Sequence, residues 1–344
     1  MKKLFLSLVA LMSATMSFAQ YSLVATLSHG ETVSMFYGTY ALRDAMNAAA
    51  SGDVINLSGG AFNAVNITKA VTLRGTGIDD TTPTYITGNF TINIPTSDTN
   101  RLSMEGIRCT DDISMKGTFN SPYFVKSQFK SFDYSTGNAA ANIMNAMFAN
   151  CKITNNYSMG NTSSVQFINS YVAGFHNYSE NIATASFINC VILPWGDENP
   201  NGEYPEDITS SQLLNCIIYQ NGSNSNWDYP LPSSTVATNC VSIGYTGFFN
   251  DLAVSTNNKE VNWNEFAKVF KNFTGNYSDS QTFELAESAK TAYLSTDGTQ
   301  VGMYGGVLPY DSTPSFPQIT KMNVAKKTTA DGKLSVEIEV SAAE

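Results

Sequence analysis

The sequence predicts an all-β solenoid of short, stacked parallel strands. Three observations carry that expectation. One phrase returns five times: Phe148-Ala149-Asn150-Cys151-Lys152-Ile153, Phe167-Ile168-Asn169-Ser170-Tyr171-Val172, Phe187-Ile188-Asn189-Cys190-Val191-Ile192, Leu213-Leu214-Asn215-Cys216-Ile217-Ile218 and Val236-Ala237-Thr238-Asn239-Cys240-Val241. Its asparagines, Asn150, Asn169, Asn189, Asn215 and Asn239, lie 19, 20, 26 and 24 residues apart, a period that suits one solenoid coil per repeat. Within each phrase apolar residues alternate as a strand buried on one face requires. Charged residues make up only 14% of the chain, which disfavours a helical bundle.

The phrase has a physical form. Asn tolerates the left-handed backbone of a tight corner, and the cysteine after it fills a small interior slot. Stacked coil on coil, the five asparagine amides are expected inside the corner as a hydrogen-bonded ladder. Cys151, Cys190, Cys216 and Cys240 stand beside it, and the second copy has Ser170 there instead. The chain has five cysteines, the fifth being Cys109. The odd number and the parallel stacking both favour buried free thiols over disulfides.

In chain order, residues 1–19 read as an export signal. Lys2 and Lys3 precede the apolar run Leu4 to Met12, and Ser17-Phe18-Ala19 supplies a cleavage site before Gln20. The apolar core is too short and broken for a membrane span. The expected location is therefore secreted, extracellular or at the cell surface, with the periplasm as the alternative. No transmembrane segment is expected once the signal is removed. Loss of Lys2 and Lys3 leaves 17 basic against 29 acidic residues, a formal charge of about −12. Nucleic acid is excluded as a partner on that balance.

Tyr21 to Val24 suggests a first strand. Ala41 to Ala50 suggests a helix with Leu42, Ala45, Met46 and Ala49 on one face, suited to closing the open end of a solenoid. Strands follow at Val54-Ile55-Asn56-Leu57 and within Ile67 to Gly75. Helix, Ser51-Gly52-Asp53-Val54-Ile55-Asn56-Leu57-Ser58-Gly59-Gly60-Ala61-Phe62 and then Ile67-Thr68-Lys69-Ala70-Val71-Thr72-Leu73-Arg74-Gly75 together resemble the first coil of right-handed parallel β-helices of the pectin lyase-like superfamily. Phe283 to Ala289 and Asp297 to Gly306 are similar to the closing segment of secreted bacterial members. The resemblance spans about residues 35 to 310. It implies a right-handed parallel β-helix, with a short N-terminal capping helix and an extended C-terminal tail. It does not imply one activity, because the superfamily includes lyases, hydrolases, adhesins and proteins without known activity.

Phe90-Thr91-Ile92-Asn93-Ile94, Leu102 to Ile107 and Tyr123-Phe124-Val125 supply less regular coils, for roughly eight to ten coils in all. Trp263, Phe266 and Phe270 are expected as a capping cluster at the exit. Pro309, Pro314 and Pro317 mark a change of character, followed by Ile319 to Val324 and an alternating strand over Lys333 to Val340. The expected organisation is thus a signal at 1–19, a β-helix at 20–308 and a tail at 309–344, laid along the solenoid or docked on a partner.

Candidate chemistry is sparse. Lyases of the resembled superfamily use an Arg or Lys base beside calcium-binding carboxylates, and its hydrolases use carboxylates on adjacent coils. Asp111-Asp112, with Lys116, Lys126 and Lys130 on neighbouring coils, is the one acidic pair of the middle coils, and a solvated turn is the favoured explanation of it. The superfamily's catalytic motifs are absent, so no catalytic residue is carried over and an enzyme is not the favoured expectation. His29 lies before the solenoid and His176 sits in the turn Phe175-His176-Asn177-Tyr178 with no evident partner, and a satisfied surface histidine is the expectation for each.

Two insertions offer a better surface. Pro194-Trp195-Gly196-Asp197-Glu198-Asn199 and Asn221 to Pro230 follow the same strand phrase in successive coils. Trp195, Asp197 and Glu198 in the first, and Trp227, Asp228 and Tyr229 in the second, combine aromatic faces with carboxylates, as sugar recognition requires. The leading expectation is a secreted or surface non-catalytic binding protein that contacts glycans through these loops. A polysaccharide lyase or glycoside hydrolase is the alternative, and a structural adhesin or spacer without a small ligand is the second. No cofactor is expected. Calcium is the metal these loop carboxylates would suit.

Overall fold

The computed structural model describes residues 23–79, 81–133, 142–159, 164–177, 184–194, 211–219, 231, 233–244, 246–262, 264–273, 275, 277–324, 327–329 and 331–341. It is a parallel β-solenoid of about eight turns. Its strands form a twelve-stranded first sheet and an eleven-stranded second sheet. Each regular turn runs along one first-sheet strand, bends at a corner, and continues into a second-sheet strand; Ala146–Ala149 followed by Lys152–Met159 is typical. Such pairs recur from Ser103–Glu105 with Ile107–Met115 to Val254–Thr256 with Lys259–Asn262.

The entrance is closed by more than a helix. Val24–His29 and Thr32–Tyr37 form an antiparallel hairpin that adds to Val54–Leu57. Only a short strand ending at Val24 was expected here; the second arm, with Val33, Met35 and Tyr37 exposed, lacks the buried alternation that would reveal it. Helix α1 (Ala41–Ala48) buries Ala41, Leu42, Ala45 and Met46 against this end. At the exit, Phe248 and Phe249 close the core, and their turn is fixed by Glu260, which accepts N–H bonds from Gly247 and Phe249.

The interior is a set of ladders one strand spacing apart. Phe124, Phe148, Phe167 and Phe187 stack at centroid distances of 4.6, 5.1 and 5.0 Å with near-parallel rings. Opposite them stand Phe129, Ile153, Val172, Ile192 and Ile218, register partners in series. The column ends at Ser242, whose hydroxyl is buried without a partner.

The corner follows a rule wider than the five copies. Lys126, Asn150, Asn169, Asn189, Asn215, Asn239 and Asn257 all have φ between 46° and 55°, and Gly106 holds the equivalent place at 70°. That conformation turns the next residue inward, and its backbone N–H must find a side-chain acceptor. Ser127 accepts from Ile107, Ser170 from Cys151, Cys216 from Cys190 and Asn258 from Cys240. The interior ladder is therefore made by Ser, Cys and Asn one place after the corner, side chains that carry an acceptor. All five cysteines are buried and free.

The asparagine amides do something different from the stacking expected of them. They meet the chain's closing segment, which covers the outside of the corner. Asn169 donates to the carbonyls of Met303 and Gly305 at 2.8 and 2.7 Å. Asn215 accepts from the Thr296 N–H at 3.0 Å, and Asn189 reaches Gly305 at 3.4 Å. Among the described residues an amide-to-amide bond joins Asn257 to Asn239. The left-handed turn points the Asn side chain away from the Phe-lined core, which is why the ladder passes to the next residue.

The closing segment first crosses the outer face of the second sheet. Val269, Phe270, Phe273, Phe283, Leu285, helix α2 (Glu287–Ala292) through Ala289, Val301 and Met303 make a second apolar core with Tyr171, Val191, Ile217, Tyr219, Val241, Ile243 and Val261. Phe266 and Phe270 belong to this layer; Trp263 lies outside the described residues. The chain then runs back along the corner toward the entrance. Tyr310 meets Lys152, Asp311 and Thr313 meet Lys126, the Ser315 N–H meets Glu105, and Phe316 lies under Arg74. Beyond it, Gln318–Val324 and Val336–Ser341 pair as an antiparallel hairpin.

Candidate functional site

One row of outward-facing residues crosses the second sheet, one residue per coil. In register it reads Tyr85, Arg108, Gln128, Lys152, Tyr171, Val191, Ile217, Val241 and Lys259. The stretch from Tyr171 to Val241 is buried under the closing segment. The stretch from Arg108 to Lys152 is polar, and a cavity of about 300 Å³ opens beside it. Lys152, Asp79, Asp279, Tyr304, Tyr310 and Asp311 line that cavity, with hydroxyls from Ser280, Thr282 and Ser312.

The sequence sets this up directly. In the first phrase the residue after Cys151 is Lys152, where the other copies place Tyr171, Val191, Ile217 and Val241. An apolar outward residue calls the closing segment down onto the sheet. A lysine does not, and the segment bridges across it through residues 304–312.

Each carboxylate of the rim has a cation or donors behind it. The Arg108 guanidinium lies 3.4 Å from Asp79 and 3.8 Å from Asp279, and Arg108 also donates to the Ile78 carbonyl at 2.6 Å. Asp279 accepts from Gln128 at 3.1 Å and from the Tyr277 hydroxyl at 3.3 Å. Asp311 pairs with Lys126 at 2.9 Å. Burial pushes the Asp311 carboxyl up, but the Thr313 N–H and Lys126 outweigh it and hold the group below the usual carboxylate range.

Lys152 is different. It is only 4% exposed, and its ammonium sits 5.5 Å from the centre of the Tyr310 ring. Among the described residues it has no hydrogen-bond acceptor and no ion pair within 4 Å. Burial lowers its pKa, with Asp79 and Asp279 acting in the opposite direction. Tyr310 is half-buried, and its hydroxyl is enclosed with no partner among the described residues. Tyr304 donates to the Thr282 carbonyl at 2.7 Å, and burial, aided by Glu284 and Asp79, raises its phenol to about 12. A buried cation and an enclosed phenol hydroxyl without partners are costly, and both lie at the edge of a solvent-open cavity.

The residues singled out from sequence fare unevenly. Trp195, Asp197, Glu198, Trp227, Asp228 and Tyr229 lie outside the described residues; each insertion begins where a second-sheet strand, Val191–Pro194 or Ile217–Tyr219, ends. Asp111 and Asp112 are on a second-sheet strand rather than a turn. Asp111 accepts from the Gly88 N–H at 2.7 Å and the Thr110 hydroxyl at 2.8 Å, which hold its pKa low. Asp112 pairs with Lys130 at 3.2 Å, whereas Lys126 points to Asp311 instead. His29 is bonded to Asp53 at 2.7 Å. Lys152, Arg108, Asp79 and Asp279 were missed because 200 residues separate the two aspartates; the break in the phrase at Lys152 was the available signal.

No family model, curated protein or solved structure matches this chain. Among the described residues no helix is long and apolar enough to cross a membrane.

Proposed function

We propose that this chain is an exported, non-catalytic glycan-binding protein, related to the pectin lyase-like superfamily and acting outside the cell or at its surface. The observation that carries the proposal is the cavity beside Lys152, where an unpaired ammonium faces three carboxylates and several hydroxyl side chains. Sugars present many hydroxyls that both donate and accept. A site of fixed acceptors with one buried donor, beside tyrosine rings, suits them. The loops carrying Trp195 and Trp227 lie outside the described residues and stay a separate glycan-binding candidate, and the export signal accounts for the location.

Polysaccharide cleavage is the second reading, and one observation favours it. Lys152 has a lowered pKa and stands near two carboxylates, a combination able to take a proton from a sugar carbon. Affinity electrophoresis of the protein through plant, host and microbial polysaccharides, with polymer length measured afterwards, separates the two. Retardation with intact polymer is expected. Shortened polymer replaces binding with catalysis, and neither effect on any polymer leaves the spacer alternative.

A further inference from the structure

We propose that the cavity holds a neutral, uncharged sugar residue of a glycan, with the Lys152 ammonium donating to its oxygens and the carboxylates of Asp79, Asp279 and Asp311 accepting from its hydroxyls. The inference rests on the glycan-binding function proposed above and specifies the ligand class.

Charge decides between ligand classes. The three lining carboxylates are balanced by Arg108, Lys126 and Lys152, so the cluster is near neutral, and of these cations Arg108 and Lys126 are already engaged behind the rim. An acidic sugar would add a fourth carboxylate that this balance does not cover, beside three aspartates that repel it. A divalent cation fits no better. The Lys152 ammonium repels it, and among the described residues no three carboxylate, His or Cys groups converge as a metal site needs.

A neutral polyol meets none of these penalties. Each rim carboxylate keeps lone pairs beyond those used by its present partners, and charge-assisted bonds to hydroxyls are stronger than neutral ones. The ammonium has three N–H donors with nothing to receive them, and sugar oxygens supply acceptors without adding charge. A volume of about 300 Å³ is at the small end for ligand pockets, which matches recognition of one or two sugar rings rather than a long chain segment.

The test is isothermal titration of the full chain, without its signal, with gluco-, xylo-, manno- and galacto-oligosaccharides, and in parallel with oligogalacturonate. Lys152→Met keeps the volume and removes the donor; Asp279→Asn keeps the shape and removes one charge. Thermal melting of each variant confirms that it is folded. The proposal expects at least one neutral series to bind, weakened tenfold or more by each substitution, with oligogalacturonate bound more weakly. Preferential binding of oligogalacturonate that is lost in Lys152→Met overturns the neutral-sugar assignment while leaving glycan binding in place. Neutral-sugar binding indifferent to both substitutions overturns the site. No binding of any saccharide overturns both proposals together.

Discussion

The two halves of one row, Arg108-Gln128-Lys152 and Tyr171-Val191-Ile217-Val241, occupy the same place on successive coils and have opposite fates. At this row the backbone position is common to both, since the strands pair in register there, and the bulges of the coils from Arg108 to Tyr171 come further along each strand. Only the side chains differ. The apolar half recruits the closing segment as a third layer, so the second sheet is buried on both faces there. The polar half holds that segment at arm's length through ion pairs, and the gap between them is the cavity. The solenoid thus carries a packed layer and an open polar cavity side by side along its length without changing its coil.

The comparison breaks most visibly in the apolar half. Ile217 is fully buried between sheet and closing segment, within 2.8 Å of where a side chain at Gly302 would begin. Ile217→Asp places an unpaired carboxylate in that layer and should cost more than about 4 kcal/mol, read as a large fall in melting temperature or loss of soluble protein.

Buried groups respond to alkali in both senses. Burial raises the phenols of Tyr171 and Tyr219 and the thiols of Cys151, Cys216 and Cys240, the Cys151 thiol to about 12. Above the unfolded values, near 9 for Cys and 10 for Tyr, the unfolded chain releases protons that the folded chain keeps. Stability then falls with rising pH, by about 1.4 kcal/mol per pH unit for each such group. Lys152 acts in the other sense. Its folded pKa lies below 10.5, so the unfolded chain holds the extra proton and rising pH favours the fold. Denaturant melts from pH 8 to 11 should show net loss of stability, steeper in Lys152→Met than in the wild type.

Smaller effects belong to the seam between solenoid and closing segment. Asn215 combines a φ of 55° with two side-chain bonds to Thr296. Asn215→Ala strains the corner and removes both bonds, an expected loss of about 1–3 kcal/mol in urea melts. Lys152→Met at neutral pH should change stability by less than about 1 kcal/mol, or raise it, because it removes a buried ammonium without a partner. A large loss there would mean that Lys152 holds the fold rather than a ligand.

Much of the solenoid was legible because each coil repeats its own constraints. The Asn–Cys pair announced a corner, and the Phe and Leu before it announced the interior column. What remained hidden lay off the period. Lys126 and Gly106 occupy the same corner as the asparagines but look unlike them. The acceptor ladder was assigned to Asn when it belongs to Ser127, Ser170, Cys216 and Asn258. The site was hidden more deeply, because its rim comes from Asp79 and its roof from residues 279–312, brought together by the return of the closing segment rather than by neighbouring coils. Local patterning identifies strands; it does not reveal what a distant segment covers.

The most direct measurement is hydrogen exchange of the full chain, read peptide by peptide, with and without the oligosaccharide that binds best. The account predicts new protection in residues 279–282 and 304–312, with little change in 283–301 over the apolar half. Protection confined to 195–230, or none in 304–312 at saturating ligand, would contradict it.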